Sequence, residues 1–198
     1  LKNSGADFLK IYSLLPDSIY FALSDYAKRI DFPQVGHVPL TVTTLEASKT
    51  GMKSQEHLLN LLMDCSTEAD KLYSKSIDYG DITDRTGQYV YRNQLMLDTF
   101  DPEKAKKLFE TFVQESTWHT PTISMWYKNA HFEEEIRKDS IHYKYLPKYM
   151  KAYWKPEIND HLQNRLPKII EMKKKLVDAY KKRIGEMNEA GVGLLAGT

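Results

Sequence analysis

The chain has 198 residues, of which 41% are apolar, and its 28 Lys and Arg residues nearly balance 27 Asp and Glu residues. This length is typical of one domain, and the charge balance gives no reason to expect nucleic acid or a membrane surface as a partner. No apolar run approaches the roughly 20 residues that a membrane-spanning helix needs. The single cysteine, Cys65, cannot form an intrachain disulfide, so the cellular compartment stays undecided.

The first strand pattern contains an unusual lysine. Residues 6–12 predict a buried strand whose apolar side chains include Phe8 and Ile11. Lys10 lies in the middle of this pattern, and a lysine there must reach a surface, pair with an acid or be chemically modified. The residues after Pro16 predict a helix with one buried face, formed by Ile19, Ala22, Leu23, Tyr26, Ala27 and Ile30.

Two further strand patterns each end at a histidine. Residues 34–38 and 53–57 predict short strands that end near His37 and His57. Between them, Thr43–Glu46 has the spacing of a capping box and predicts the start of a short helix. A strand, helix, strand unit of this kind places both histidines at the same edge of a parallel sheet. In a (β/α)8 barrel that edge is the active-site face.

The rest of the chain predicts long helices around two more short strands. The Asp101–Pro102 pair is typical of a helix start, with an aspartate at the N-cap and a proline in the first turn. Residues 118–122 and 192–198 predict the further strands, and a long amphipathic helix precedes the second of them. Two helical segments are longer than an ordinary connection and predict insertions, near 64–100 and near 124–160.

Strands that alternate with helices predict a parallel α/β sheet, and five segments in order resemble the metal-dependent amidohydrolase superfamily. Within it they resemble the imidazolonepropionase-like or prolidase-like subgroup. They are similar to the fourth to eighth strands of the family's barrel and their approaches: Gly5–Tyr12, Val35–Pro39, Glu46–His57, Thr120–Thr122 and Ala190–Thr198. The resemblance implies that residues 1–198 form one domain, a partial TIM-type (β/α)8 barrel from about strand 4 to strand 8, with the helical insertions.

The resemblance also implies a site and its chemistry. Lys10 matches a lysine that many members carry in carboxylated form, and His37 and His57 match metal-ligating histidines. Together they would hold one or two divalent ions, with zinc the first choice, that activate a water molecule for hydrolysis of a carbon–nitrogen bond. The implied substrate is a small molecule, either a cyclic amide or a dipeptide-like compound. Tyr12 and His119 are candidates for contact with it.

The family pattern is incomplete in this chain. The family has a His-x-His pair on its first strand, and the sequence contains no such pair. The aspartate of the eighth strand would follow Thr198, so we assign no catalytic residue. We therefore expect a fragment of a longer enzyme that is inactive by itself. A partial barrel exposes sheet edges and apolar faces, so we also expect self-association, with a homo-oligomer as one form of it.

Two other functions stay open at this point. The chain can be a barrel relative that has lost its site and binds a partner through its helices. It can also be an unrelated helical interaction module. The 13 tyrosines, most of which follow Tyr73, favour this alternative. Proximity of His37 and His57 at one sheet edge would favour the hydrolase, whereas their separation would exclude it. Glu56, next to His57, is assigned a structural role.

Overall fold

The computed structural model describes residues 2–74, 79–132, 134–135, 144–153 and 167–197. At its centre is a parallel sheet of four strands that lie side by side in chain order. The strands are β1 (Leu9–Ile11), β2 (Gln34–Gly36), β3 (Met52–Glu56) and β4 (Trp118–Thr120). Leu194 adds one parallel bridge beside β4, where the sequence predicts the fifth strand.

Helices occupy the connections between these strands. Among the described residues, one helix follows β1, one follows β2, four lie between β3 and β4, and three follow β4. In chain order they are α1 (Asp17–Arg29), α2 (Thr44–Lys49), α3 (Leu61–Asp64), α4 (Ala69–Tyr73), α5 (Arg85–Asp98), α6 (Pro102–Gln114), α7 (Ile123–Ala130), α8 (Lys148–Tyr153) and α9 (Pro167–Glu189). A short 3₁₀ helix, Lys2–Ser4, precedes β1. Both segments predicted to be insertions therefore contain helices, and their origin as insertions stays a prediction.

The order of the strands is compatible with part of a barrel. Each strand pairs in parallel with the next strand along the chain, as successive strands do in a (β/α)8 barrel. Within the described ranges the sheet is open, with β1 at one edge. The α/β class is thus confirmed, while closure into a barrel stays a prediction. The same ranges contain no helix with both the length and the apolar character to cross a membrane.

The register of the strands assigns their side chains to two faces. Ser54 pairs with Trp118 and Glu56 pairs with Thr120, so these residues share one face of the sheet. Gln55, between them, points the other way, and its amide donates to the carbonyl oxygen of Thr44 in α2 at 2.9 Å. One face is therefore covered by helices, and the opposite face carries Glu56.

Helix α1 forms as predicted, and Ala27 of the predicted face is buried, but the other buried residues differ from those predicted. Tyr20, Ser24 and Ala27 are buried, whereas Ile19 and Tyr26 are 53% and 54% exposed. The polar members of the buried face have partners, because the Tyr20 hydroxyl bonds the hydroxyl of Thr50 and the Ser24 hydroxyl donates to Gln34, both at 2.9 Å. These hydrogen bonds let polar residues replace apolar ones in the interior, which hydrophobic periodicity by itself does not detect.

The predicted strand at residues 6–12 is shorter and less buried than expected. Only residues 9–11 pair in β1, and Phe8 is 51% exposed. Within the described residues β1 pairs with β2 only, so its other edge has no neighbouring strand there. Ile11 is buried in a cluster under β1 to β3 that consists of Ile11, Tyr20, Val38, Val42, Ala47 and Met52.

A larger apolar cluster lies among the helices. It joins residues of α3 to α6 with the long helix α9, and Phe112, Leu72 and Met187 in it are fully buried. Cys65 belongs to this cluster, and burial raises the pKa of its thiol. This agrees with the interpretation of Cys65 as a small buried apolar residue, since a thiol that stays protonated is a poor nucleophile.

We expect Asp101→Ala to lower the free energy of unfolding by about 1 kcal/mol. The Asp101 carboxylate accepts hydrogen bonds from the backbone N–H groups of Glu103 at 2.8 Å and Lys104 at 3.3 Å, as predicted for the N-cap of α6. Urea denaturation measures the change. Asp81→Ala, at an exposed turn residue, is the control and should change stability little. Equal effects of the two substitutions would contradict the capping role.

Candidate functional site

Four side chains meet at the carboxyl ends of β1 to β3. The sequence predicts three of them, Lys10, His37 and His57, and the structure brings all three together around Glu56. The two carboxylate oxygens of Glu56 accept hydrogen bonds from the Lys10 ammonium group. The Nε2 atoms of His37 and His57 each lie 3.6 Å from Glu56 Oε2. The predicted proximity of the two histidines is thus confirmed, since their ring centroids are 4.6 Å apart.

Glu56 has a larger part in the site than its sequence context predicts. The sequence assigns it a structural role, yet it contacts every other member of the cluster. Its side chain is 19% exposed, and that of Lys10 is 50% exposed, so Glu56 is the inner partner of this ion pair. One feature of the sequence points to it: a lysine in a strand needs an acidic partner, and Glu56 ends β3, two strands away from Lys10 in the same parallel sheet.

A left-handed backbone directs both Glu56 and His57 into the same site. Successive side chains of a strand point to opposite faces, so two consecutive residues reach one site only if the backbone turns between them. His57 has φ +64° and Leu58 has φ +56°, a conformation that is uncommon for residues other than glycine. Two hydrogen bonds hold it, from His57 N to Thr120 O at 2.9 Å and from Trp126 Nε1 to His57 O at 3.1 Å.

His37 is held by its backbone and by two rings. Its N–H donates to the carbonyl oxygen of Ile11 at 3.0 Å. The ring of Tyr12 stacks on the imidazole with centroids 4.6 Å apart, and the His57 ring meets it edge-on at 84°. The His37 Nδ1 atom is buried and has no hydrogen-bond partner within the described part of the chain. The Nε2 atom is the one that lies 3.6 Å from Glu56.

The surroundings favour the uncharged form of His37. Burial lowers its pKa most, the positive charge of a protonated His57 acts in the same direction, Glu56 raises the pKa, and Lys10 lowers it. The Nδ1 atom of His57 shares a 2.8 Å hydrogen bond with the Thr122 hydroxyl, which fixes the ring with Nε2 toward Glu56. A neutral imidazole with a fixed ring is the form in which histidine binds a metal ion.

The residues present fit a divalent metal ion. One ligand atom each of His37, Glu56 and His57 lies within 4.8 Å of the other two. Two imidazoles and a carboxylate are ligands that zinc and related divalent ions bind well. Lys10 has no place in this set as a cation, because a metal ligand must offer a lone pair.

The two candidates for substrate contact have different positions. Tyr12 lies beside the cluster and is 61% exposed, so its ring is open to a bound molecule. His119 lies in register with Gln55, on the helix-covered face, and is 1% exposed. Its ring packs on Phe112 with centroids 4.3 Å apart. The structure thus places His119 in the core, away from the cluster, and Tyr12 alone stays a candidate for substrate contact.

Comparisons with known proteins show similarity at the level of the fold. No protein-family model and no curated protein sequence matches the chain. Among solved structures, it is similar to bottromycin amidohydrolase, with a TM-score of 0.60 and 19% sequence identity. The alignment covers 100% of this chain and 38% of that chain, so this chain spans well under half the length of its structural neighbour. At this identity the similarity shows a shared fold.

Proposed function

We propose that this chain carries part of the metal site of a hydrolase that cleaves carbon–nitrogen bonds. The observation that supports this most is the convergence of His37, Glu56 and His57 within 4.8 Å at the carboxyl edge of a parallel sheet. This edge is where sheets of this class place their ligands. The shared fold with a protein named bottromycin amidohydrolase supports an amide as the substrate class.

His37 and His57 would hold a divalent ion, with zinc the first choice. Such an ion supplies polarisation of a carbonyl group and lowers the pKa of a water molecule, which are the needs of amide hydrolysis. The protein's own part is orientation: Tyr12 stacks on the His37 ring, and Thr122 sets the direction of the His57 ring. The third ligand is anionic, and it is either carboxylated Lys10, as the resemblance implies, or Glu56.

The geometry of the cluster helps to discriminate between the hydrolase and the alternative functions. A helical interaction module does not require the two imidazoles to meet, so the observed contact favours the hydrolase over it. A barrel relative without a metal remains the second candidate, because the ion pair between Lys10 and Glu56 balances both charges without an ion. Metal binding separates these two functions.

We expect the chain to bind about one zinc ion per molecule. His37→Ala or His57→Ala should each weaken zinc binding at least about 100-fold, because each removes a ligand. Loss of a residue that only supports a ligand already weakens metal binding about 10–100-fold. Isothermal titration calorimetry with Zn²⁺ on chelator-treated protein measures the affinity, and elemental analysis counts the ions. His131→Ala is the matched control, because His131 stacks on Tyr127 away from the cluster.

Equal zinc binding by all three variants would contradict the proposed site, and no binding by the unsubstituted chain would favour the relative without a metal. Since the family pattern is incomplete in this sequence, binding is the measurement suited to this chain. Turnover of cyclic amides and dipeptides, followed by mass spectrometry, is suited to a longer form of the protein.

A further inference from the structure

We infer that Glu56, and not a carboxylated Lys10, is the anionic metal ligand of this site, and that Lys10 stays an unmodified cation that holds Glu56 in place. This inference rests on the proposed function, because it concerns the ligands of the same metal site. The inference differs from the ligand set that the resemblance implies, and the contacts within the cluster support it.

The position of the Glu56 carboxylate supports its role as a ligand. Glu56 Oε2 lies at the same distance, 3.6 Å, from the Nε2 atoms of His37 and His57. An anionic oxygen thus already lies between the two imidazoles, where a third ligand belongs. Both oxygens of this carboxylate also contact Lys10 Nζ, so the carboxylate is the group that joins the lysine to the two histidines.

Burial also distinguishes Glu56 from Lys10. The side chains of His37, Glu56 and His57 are 16%, 19% and 21% exposed, whereas that of Lys10 is 50% exposed. The two imidazoles and the carboxylate form an inner layer, and the ammonium group lies at the rim. A ligand is expected in the inner layer, and a charge that shields and orients it is expected at the rim.

The path of the Lys10 side chain fits a role as the partner of Glu56. Lys10 lies on edge strand β1 and reaches Glu56 on β3 by crossing β2. The crossing runs close to Gly36, since a Cβ atom built there would come within 3.0 Å of Lys10 Cδ. A glycine at this point of β2 therefore leaves room for the stem of Lys10 on its way to the carboxylate.

Carboxylation would reverse the charge of the Lys10 side chain. In that reaction the ammonium group gives up two protons to solvent and its nitrogen forms an N–C bond to carbon dioxide, so that a cation becomes an anion. The new carbamate would lie against the Glu56 carboxylate, and an attractive contact would become a repulsive one. The contacts at Lys10 Nζ thus oppose the modification, and one ion at His37, Glu56 and His57 is the expected occupancy.

The test compares Glu56→Gln with Lys10→Met by zinc titration, because both variants keep side-chain size while removing a charge. We expect Glu56→Gln to raise the zinc dissociation constant at least about 100-fold, as for loss of either histidine, because it removes a ligand. Lys10→Met should raise it only about 10-fold, the lower end of the range for loss of an outer contact. Lys53→Met, at an exposed position of β3, is the control for loss of a lysine.

A second measurement is made on the unsubstituted chain, and Lys10→Met serves in it only to assign a signal. ¹³C NMR of the unsubstituted chain, incubated with zinc and ¹³C-bicarbonate, should show no carbamate resonance, and added bicarbonate should not tighten zinc binding. A carbamate resonance that Lys10→Met abolishes would overturn the inference and leave the metal site intact. Tight zinc binding by Glu56→Gln would overturn it in the same way. Absence of zinc binding by the unsubstituted chain would overturn both this inference and the proposed function.

Discussion

Gly36→Ala is expected to lower the free energy of unfolding by about 2–4 kcal/mol, the range of a strained backbone combined with a steric clash. Gly36 ends β2 with φ +120°, a value that side chains of L-residues rarely allow. A Cβ atom at this position would lie 2.5 Å from the carbonyl oxygen of Ile11. That oxygen accepts the hydrogen bond from His37 N–H, so the alanine would separate β1 from β2 next to the candidate metal site.

Urea denaturation followed by circular dichroism measures this effect. Gly185→Ala is the matched control, because Gly185 lies inside α9 and a Cβ atom there meets nothing within 4 Å. It should raise stability by up to about 1 kcal/mol, since alanine favours a helix interior over glycine. If Gly36→Ala were as stable as the unsubstituted chain, the close approach of β1 to Gly36 would be wrong.

His119→Leu is expected to protect the protein against acid. Both ring nitrogens of His119 are buried, and they have no hydrogen-bond partner among the described residues. Burial lowers the pKa of His119 to about 3. An unfolded histidine has a pKa near 6.5, so the unfolded chain takes up a proton below that pH while the folded chain does not. The free energy of unfolding therefore falls as the pH falls from about 6.5 toward 3.

Leucine removes this contribution, because it has a similar size and does not titrate. The difference in unfolding free energy between His119→Leu and the unsubstituted chain should grow by about 2.5 kcal/mol between pH 7 and pH 4.5. Urea denaturation at several pH values measures it. Leu108→Val, in the buried face of α6, is the control and should differ from the unsubstituted chain by the same amount at every pH. A constant difference for His119→Leu would show that His119 is solvated.

Local features of the sequence predict much of this fold. Asp101 caps α6, and Thr43 with Glu46 forms the capping box of α2. The hydrogen bonds of such caps join residues two or three positions apart, so a short stretch of sequence contains both partners. The strands also lie close to the short segments that the sequence places between its helical patterns. The proximity of His37 and His57 follows because parallel neighbouring strands end at one edge.

The sequence does not predict features that depend on contacts between distant residues. On helix α1, Ile19 and Tyr26 have the right spacing for a buried face, yet Tyr20 and Ser24 are buried. The partners that permit this, Thr50 and Gln34, lie on other elements. His119 belongs to the core for a related reason, because the register with Gln55 turns it to the face covered by helices.

The sequence by itself thus determined the alternation of strands and helices, the caps, and the edge at which Lys10, His37 and His57 meet. Only the tertiary structure decided that Glu56 lies at the centre of this cluster. The physical reason is that its role depends on a left-handed turn at His57 and on an ion pair with Lys10, a residue 46 positions away on another strand. Neither feature follows from the sequence next to Glu56, because contacts with distant residues hold both: Thr120 and Trp126 hold the turn, and Lys10 forms the ion pair.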